Sequence, residues 1–368
     1  MRIFFFLLLS LHALIHLLGF VKAFNLAEVS QLTQHISKSA GTAWLLAAVL
    51  LLAGGVLFLL RAEYWWLAAA PGFFLSQVLI VIFWTDAKFG TIANILILFP
   101  IIVSVLNSLP SSFSNVYRAE VRKGLARAAS TSLVAEEEIT HLPPPVRKYL
   151  RYTGVIGKPH VWNMRVRCTG QLRAKMDGGW LNFESQQYNF FDKPTRLFFI
   201  ESSMYGLPFD GLHAYIGPTA TMQIKVAAAA LVADARGPEM NQTETVTMFN
   251  DMCVMAPATL TDKSIQWESI DSLTAKATFT NQGNTISAIL SFNETGELVN
   301  FTSNDRYASE DGKVYVKHRW STPIQRYQDV DGRKVPSYVE ASWLMPDGES
   351  VYGKFNLLDV EYNCETLK

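Results

Sequence analysis

Leu142-Pro-Pro-Pro-Val-Arg-Lys-Tyr-Leu-Arg-Tyr-Thr-Gly-Val-Ile-Gly-Lys-Pro159 separates two kinds of sequence. Upstream the chain is written for hydrocarbon, downstream for water and β-sheet. The prolines end whatever precedes them, and Pro145 suits the first position of a new helix, where a missing N–H costs nothing. Val146, Tyr149 and Leu150 then share one face, Arg147, Lys148 and Arg151 lie elsewhere, and Gly154 is a natural stop. The apolar face is expected to pack on the downstream domain, making this helix the first element of that domain.

A chain of 368 residues suggests about two domains. Lys+Arg and Asp+Glu are both 32, so no net field points to nucleic acid. The charge is unevenly spread: up to Pro110 it is confined to Arg2, Lys22, Glu28, Lys38, Arg61, Glu63, Asp86 and Lys88. Apolar stretches at about 3–21, 42–60, 64–84 and 89–108 each approach the roughly 20 residues that cross a bilayer core, so about four transmembrane helices are expected. Trp65, Trp66 and Trp84 stand near the predicted ends. The first stretch resembles a signal peptide, but its length, His12 and His16, and Lys22 at the would-be cleavage site favour a retained helix. Basic residues favour both termini inside, which places the C-terminal domain in the cytoplasm.

Polar side chains in such a block are functional candidates. His12 and His16, four apart, share a helix face, a geometry open to a metal, a haem or a proton relay as well as to plain interhelical hydrogen bonding. In Trp84-Thr-Asp-Ala-Lys-Phe-Gly-Thr-Ile-Ala-Asn94, Asp86 and Lys88 are expected to neutralise one another in a tight loop. Thr91 would start the next helix, with Asn94 a turn inside it. Lys22 falls on the same predicted side and is expected near them.

Residues 111–141 read as a connector. Phe113, Val116, Val121 and Leu125 approximate an apolar stripe among Arg118, Arg122, Lys123 and Arg127, which suits a helix on the inner leaflet or a solvated linker. Ser130-Thr-Ser132 interrupts it, and Glu136–Glu138 begin a second short helix.

From about 161 the period becomes two. Trp162, Met164, Val166 and Cys168 alternate with polar residues, and the texture returns around 180–191, 195–204, 212–226, 265–281, 284–292, 297–306, 313–321, 337–345 and 350–362. Turn signals separate the runs: Asp177-Gly-Gly, Asn281-Gln-Gly, Asn293-Glu-Thr-Gly, Asp311-Gly, Asp331-Gly and Pro346-Asp-Gly. About ten antiparallel strands are expected. Residues 239–256 instead read as a helix, started by Asn241 with Glu244, stopped by Pro257, with Val246, Phe249, Met252 and Cys253 as its stripe. The division is therefore a membrane block (1–110), a connector (111–141) and an α+β domain (142–368) whose large curved antiparallel sheet, half-barrel-like, wraps one or two helices. In element order this resembles the periplasmic lipoprotein carriers, a likeness of outline.

A more specific resemblance is carried by His12-Ala-Leu-Ile-His16 with Gly19-Phe-Val-Lys-Ala-Phe24, by Trp84–Asn94 and by Leu142–Gly157. In the β-domain it continues at Gly237-Pro-Glu, Ile265-Gln-Trp267, Asp305-Arg306-Tyr and Gly332-Arg-Lys-Val-Pro336. These resemble an uncharacterised bacterial membrane family whose C-terminal part is a domain of unknown function. The resemblance implies a bacterial inner-membrane protein and no particular activity. It implies an acidic residue in the middle helix followed by a proline, a role that falls here on Asp251 in Asn250-Asp251.

No nucleotide loop, nucleophile elbow or zinc-protease spacing is present, and Cys168, Cys253 and Cys364 match no metal pattern. An enzyme is not the expectation, and cofactor and metal stay unassigned. The candidate sites are an intramembrane cluster (His12, His16, Lys22, Asp86, Lys88, Asn94) and a β-domain cluster (Asp251, Trp267, Arg306, Trp320). The partners expected are membrane lipids and a hydrophobic small molecule, with no nucleic acid. The alternative is a membrane redox, metal or haem protein using His12 and His16.

Overall fold

The structure, a computed structural model, describes residues 2–127, 132–173, 178–204, 206–309, 314–345 and 348–368. It divides into two compact units, Met1–Ser112 and Phe113–Lys368. The turn signals at Asp177, Asp311 and Pro346, and the interruption at Ser130, lie outside the described residues.

The helical unit contains α1 (Arg2–Ala23), α2 (Lys38–Leu59), α3 (Trp66–Ile82), the single turn α4 (Trp84–Ala87) and α5 (Gly90–Ser108). Three apolar helices, α1, α2 and the one beginning at Gly90, are long enough to cross a membrane. The expected fourth span is the shorter α3, 17 residues, which at 1.5 Å per residue reaches only about 25 Å. Small residues let these helices approach closely: a Cβ added at Gly54 would lie 2.7 Å from the Ala69 Cβ and 2.9 Å from its Cα. Leu9, Ala47, Leu51, Ala69 and Ile97 are fully enclosed between helices.

The second unit opens with α6 (Phe113–Leu125) and α7 (Pro144–Tyr152). The proline start of α7 falls one residue earlier than expected, with Pro143 as its cap. Gly154, at φ +68°, ends the helix through a conformation that side chains resist. Val146, Tyr149 and Leu150 are fully buried in the main core of the unit. The Tyr149 hydroxyl donates to the Cys253 carbonyl at 2.7 Å, so α7 is built into the domain.

The remainder of the unit is one antiparallel sheet of thirteen strands, ordered β6-β5-β4-β3-β2-β1-β13-β12-β11-β10-β9-β8-β7, with one further helix. The excess over ten comes from runs read as single strands. Gly217-Pro218 splits 212–226 into β4 (Leu207–Ile216) and β5 (Thr219–Val226), and 265–281 divides into β7 (Ile265–Ser269) and β8 (Thr274–Asn281). β6 (Ala230–Arg236), rich in alanine, carries no alternation and was not legible. The chain enters at the centre of the sheet, with β1 (Asn163–Leu172), β2 (Leu181–Phe190) and β3 (Thr195–Met204), and runs out to β6. Helix α8 (Pro238–Met255) carries it to the far edge, and β9 (Asn284–Phe292), β10 (Leu298–Ala308), β11 (Val316–Val330), β12 (Arg333–Met345) and β13 (Gly348–Tyr362) bring it back beside β1. A helix linking both edges, and contacting β4, β5 and β6 as well as β9, β10 and β12, requires the sheet to curl around it. The result is a half-barrel whose inner face holds α8 and α7.

The outer face is partly covered by α6. Its buried residues are Phe113, Tyr117, Val121 and Gly124, and they join Tyr188, Phe190, Leu197, Phe199 and Leu212 in a separate core. Val116, expected in the stripe, is instead exposed, with Tyr117 in its place. The apolar face of α6 is thus occupied by protein and is not free to lie on a leaflet.

Candidate functional site

Helix α8 is the floor of the interior. Pro238 occupies its first turn and Gly237, at φ +107°, precedes it. Asn241 is therefore inside the helix and not its cap: its Oδ1 accepts from the Ala220 N–H at 2.7 Å, and Glu244 is released from a capping role. From Thr243 to Met255 every residue of α8 is buried, because the sheet surrounds it. The polar residues on such a helix need partners, since an unpaired buried charge costs several kcal/mol.

Glu244, Thr247 and Asp251, at successive turns, find those partners on inner-face residues of β2, β3, β4 and β10. Arg196 (β3) places Nε 2.7 Å from Asp251 Oδ2 and Nη1 3.1 Å from Glu244 Oε2. Its Nη2 donates to the Gln187 Oε1 at 3.2 Å. Gln187 and Asn189 (β2) donate to the same Asp251 oxygen at 2.7 and 3.0 Å, and His213 Nδ1 (β4) stands 3.7 Å from Glu244 Oε1. The side chains of Arg196, Glu244 and Asp251 are 8%, 1% and 7% exposed. Burial alone would push the Glu244 carboxyl up, but the Arg196 charge, together with His213 and Arg306, more than offsets it and holds it at about 2. Burial opposes the Arg196 charge too, and Asp251 and Glu244 more than offset that. The cluster is a saturated set of ions.

Of the β-domain candidates Asp251 lies in α8, Arg306 and Trp267 border it, and Trp320 stands beside Arg306. Arg306 donates through Nη1 to the Thr247 hydroxyl at 2.5 Å, and its guanidinium lies 4.2 Å from the Trp320 ring and 5.7 Å from Trp343. A bulge in β10 sets this direction. Ser303 pairs with Trp320, but Arg306, three residues on, pairs with His318, two residues back along β11. The extra residue reverses the alternation, so that Arg306 faces α8. Asp305 instead accepts from the Ser287 backbone and from Lys317. Trp267 packs on Phe249 of α8 and donates to the Leu260 carbonyl; it does not join the ionic cluster. Beyond Trp320 an aromatic wall continues: Trp320 Nε1 donates to the Tyr352 hydroxyl at 3.0 Å, Trp343 stacks on Tyr352 and Phe183 meets Phe355 edge-on.

Arg196, Glu244, Gln187, Asn189 and His213 were missed in the sequence. The available signal was Ser185, Gln187 and Asn189, polar residues at alternate positions of a strand whose other face is Tyr188 and Phe190. A strand with an aromatic face and a polar face that is also enclosed marks a buried polar partner. Burial, with Asp251 beside it, pushes the Cys168 thiol up to about 12, and Cys253 is raised well above the ordinary thiol range by burial. Neither offers a thiolate at neutral pH. An open groove of about 780 Å³ on the sheet, lined by Thr169, Gln171, Asn182, Phe183, Tyr338 and Lys354 among others, mixes polar and apolar surface.

The helical unit has its own cluster. His12 Nε2 lies 3.1 Å from the Ser76 hydroxyl. Asn94 donates to Ser76 at 3.0 Å and to Gln77 at 2.9 Å. His16 Nδ1 meets the His12 carbonyl at 3.0 Å, its ring rests against Trp44, and its buried Nε2 has no partner. The remaining candidates lie elsewhere. Asp86 does not pair with Lys88; it accepts from the Gln34 and Thr33 backbone at 2.9 and 2.6 Å. These bonds, Gln34 first, hold its carboxyl below the usual carboxylate range, with a smaller contribution from Lys22. Lys22 donates to the Leu32 carbonyl, and Lys88 lies over the Phe89 ring. Helix geometry explains this: Asp86 and Lys88 are two apart on continuous helical turns and face different ways. Among the described residues no group of three His, Cys, Asp or Glu is placed to hold a metal.

No curated protein matches the chain. Five solved chains are similar to it, among them these three. The chain is similar to a DUF1329 family protein from Desulfovibrio piger (12% identity, 61% of this chain and 95% of that one, TM-score 0.36). It is similar to a putative outer membrane lipoprotein-sorting protein domain from Vibrio parahaemolyticus (8%, 56% and 87%, TM-score 0.33). It is also similar to a LolA superfamily protein from Nitrosomonas europaea (10%, 60% and 94%, TM-score 0.32). One family model matches from residue 132 to residue 355, more than half the chain and nearly all of the half-barrel, and so the chain belongs to the family of unknown function DUF6544.

Proposed function

We propose that this is an integral protein of the bacterial inner membrane whose half-barrel, on the cytoplasmic side, binds a lipid or other hydrophobic molecule on its inner face. One observation carries the reading: the aromatic wall is not sealed. Tyr352, Phe355 and Met345 are only half-buried, although they pack on a core whose deeper residues are closed off. Concave apolar surface with a few fixed polar groups is the usual make-up of a small-molecule site. Exposed apolar side chains at neighbouring hairpin tips, Met204 and Leu207 with Leu231 and Val232, suit contact with lipid. The membrane part rests on the apolar helices and on their outward Phe4, Leu11, Phe74 and Ile92, and its orientation on the basic residues.

Native mass spectrometry of the full-length protein, released from neutral detergent, tests the binding. A hydrophobic molecule bound in about equal amount is expected. A clean protein mass, together with no uptake of an added acyl probe, would sink the reading. Protease digestion of sealed inverted membrane vesicles is expected to cut the half-barrel, and protection there would reverse the orientation.

The unpartnered His16 Nε2 favours a second reading, a membrane redox, metal or haem protein using His12 and His16. A visible haem spectrum or stoichiometric metal in the purified protein, lost in a His12→Ala/His16→Ala double variant, would establish it in place of the first.

A further inference from the structure

We infer that Arg306 seats an anionic head group, a carboxylate or a phosphate, of an amphiphile whose apolar part lies along Trp343, Tyr352 and Phe355. This rests on the ligand-binding reading above and gives the ligand its chemistry. The arginines of the half-barrel differ in how fully they are paired. Arg196 has Asp251, Glu244 and Gln187 on its three nitrogens. Arg165, on the outer face, holds Asp359 and Glu361, both at 2.9 Å. Among the described residues Arg306 has a single hydrogen bond, to Thr247, and its buried Nε has no partner, a feature it shares with Arg165, Arg173 and Arg333. Among the described residues no carboxylate forms an ion pair with it. Glu244 feels its charge but is already joined to Arg196.

The two indoles hold the guanidinium in place but do not replace the hydrogen bond that its buried Nε gave up to water. Cation–π contacts contribute about 0.5–2 kcal/mol, whereas a buried donor left without an acceptor costs about 1–3 kcal/mol. A guanidinium fixed between rings, with donors still open, presents the planar fork that grips an oxyanion by two bonds. Its neighbours along the wall are hydrocarbon-like. An amphiphile satisfies both, and neither a sugar nor a neutral lipid does.

The test compares three probes of one chain length, a fatty acid, the corresponding fatty alcohol and the alkyl phosphate, bound to the full-length protein in neutral detergent at pH 7.5. Occupancy is read by native mass spectrometry in competition. The acid or the phosphate is expected to outcompete the alcohol by about tenfold or more, the scale of one charge-assisted contact. Preference for the acid marks a free carboxylate ligand; preference for the phosphate marks a phospholipid-type one. Arg306→Gln is expected to abolish the preference, bringing acid, phosphate and alcohol to similar occupancy, and Arg306→Lys to retain part of it. Equal binding of all three by the wild type would overturn the anionic seat and leave the hydrophobic site standing. Binding of none would remove both. The wild-type series decides the matter even if Arg306→Gln does not fold.

Discussion

The two units bury polar side chains by opposite means. In the helical unit the enclosed polar groups His12, Ser76 and Asn94, with the half-buried Gln77, are linked by hydrogen bonds between side chains that need carry no charge. In the half-barrel the enclosed groups are full ions, Arg196 with Asp251 and Glu244, closed by Gln187 and Asn189. The difference comes from what each surrounding can supply. Each apolar helix satisfies its own backbone, and if the unit lies in hydrocarbon, as proposed, a few neutral side chains suffice to fix its neighbours. A helix wrapped by a sheet is dry on every side, and two acidic residues two turns apart can be kept there only if a cation is locked between them. Among the described residues each unit leaves buried nitrogens without a partner, His16 Nε2 among them in one and Arg306 Nε in the other.

The sharpest way to break this comparison is Arg196→Met. It leaves Asp251 and Glu244 buried and uncompensated, and is expected to cost about 3–5 kcal/mol, read as a lowered unfolding midpoint of the half-barrel. The triple variant Arg196→Met/Glu244→Leu/Asp251→Leu removes the ions together and should recover most of that loss. If Arg196→Met alone were tolerated, the cluster would be solvated and the contrast false.

Acid offers a second separation. Glu244 titrates at about 2 in the folded protein against an ordinary value of 4.5. Its contribution is therefore complete above about pH 4.5 and is lost as the pH falls toward 2. The half-barrel is expected to weaken through that window, and Glu244→Gln to flatten the dependence while lowering stability at neutral pH. An unfolding midpoint independent of pH between about 5 and about 2 would contradict the pairing.

Small residues provide a third. An added Cβ at Gly54 meets the Ala69 backbone at 2.9 Å, whereas at Gly124 it meets only the Phe190 ring, at 2.3 Å. Backbone cannot move aside without shifting a helix, and a ring can turn. Gly54→Leu is expected to separate α2 from α3, costing at the upper end of the roughly 1–3 kcal/mol of overpacking, and Gly124→Ala to cost at the lower end. Cysteine cross-linking across α2 and α3 and proteolysis of α6 would report each.

What the sequence disclosed divides along the same line. Apolar runs and alternation are local, so the helices, most strands and the burial of Val146, Tyr149 and Leu150 were legible. Arg306 and Trp320 were legible as candidates, though not the bulge that turns Arg306 inward, because a bulge is set by pairing across strands. The Arg196 cluster was hidden for a different reason. Its members come from β2, β3, β4 and α8, up to 64 positions apart, and no spacing within one element announces them. Glu244 was misread because a capping box and a buried ion pair use the same residue type at the same place in a helix. The stripe of α6 was drawn through Val116 and not Tyr117 because a tyrosine among arginines reads as polar, while its ring is what stacks on Phe199.

The smallest expected effect probes the neutral side of the comparison. Asn94 supplies both bonds that tie Ser76 and Gln77 together, and Ser76 in turn meets His12. If each bond counted in full, a group joined in this way would be worth several times one hydrogen bond. Among apolar helices the disrupted state also finds partners, so such contacts average only about 0.6 kcal/mol and rarely exceed about 1.7. Asn94→Leu, which fills the space and removes the bonds, is therefore expected to lower resistance to denaturing detergent by no more than about 1–2 kcal/mol. A double-mutant cycle with Ser76→Ala should return a coupling below that. A loss comparable to Arg196→Met would mean that the cluster holds a charged histidine or a bound group, and the line drawn between neutral and ionic burial would have to move.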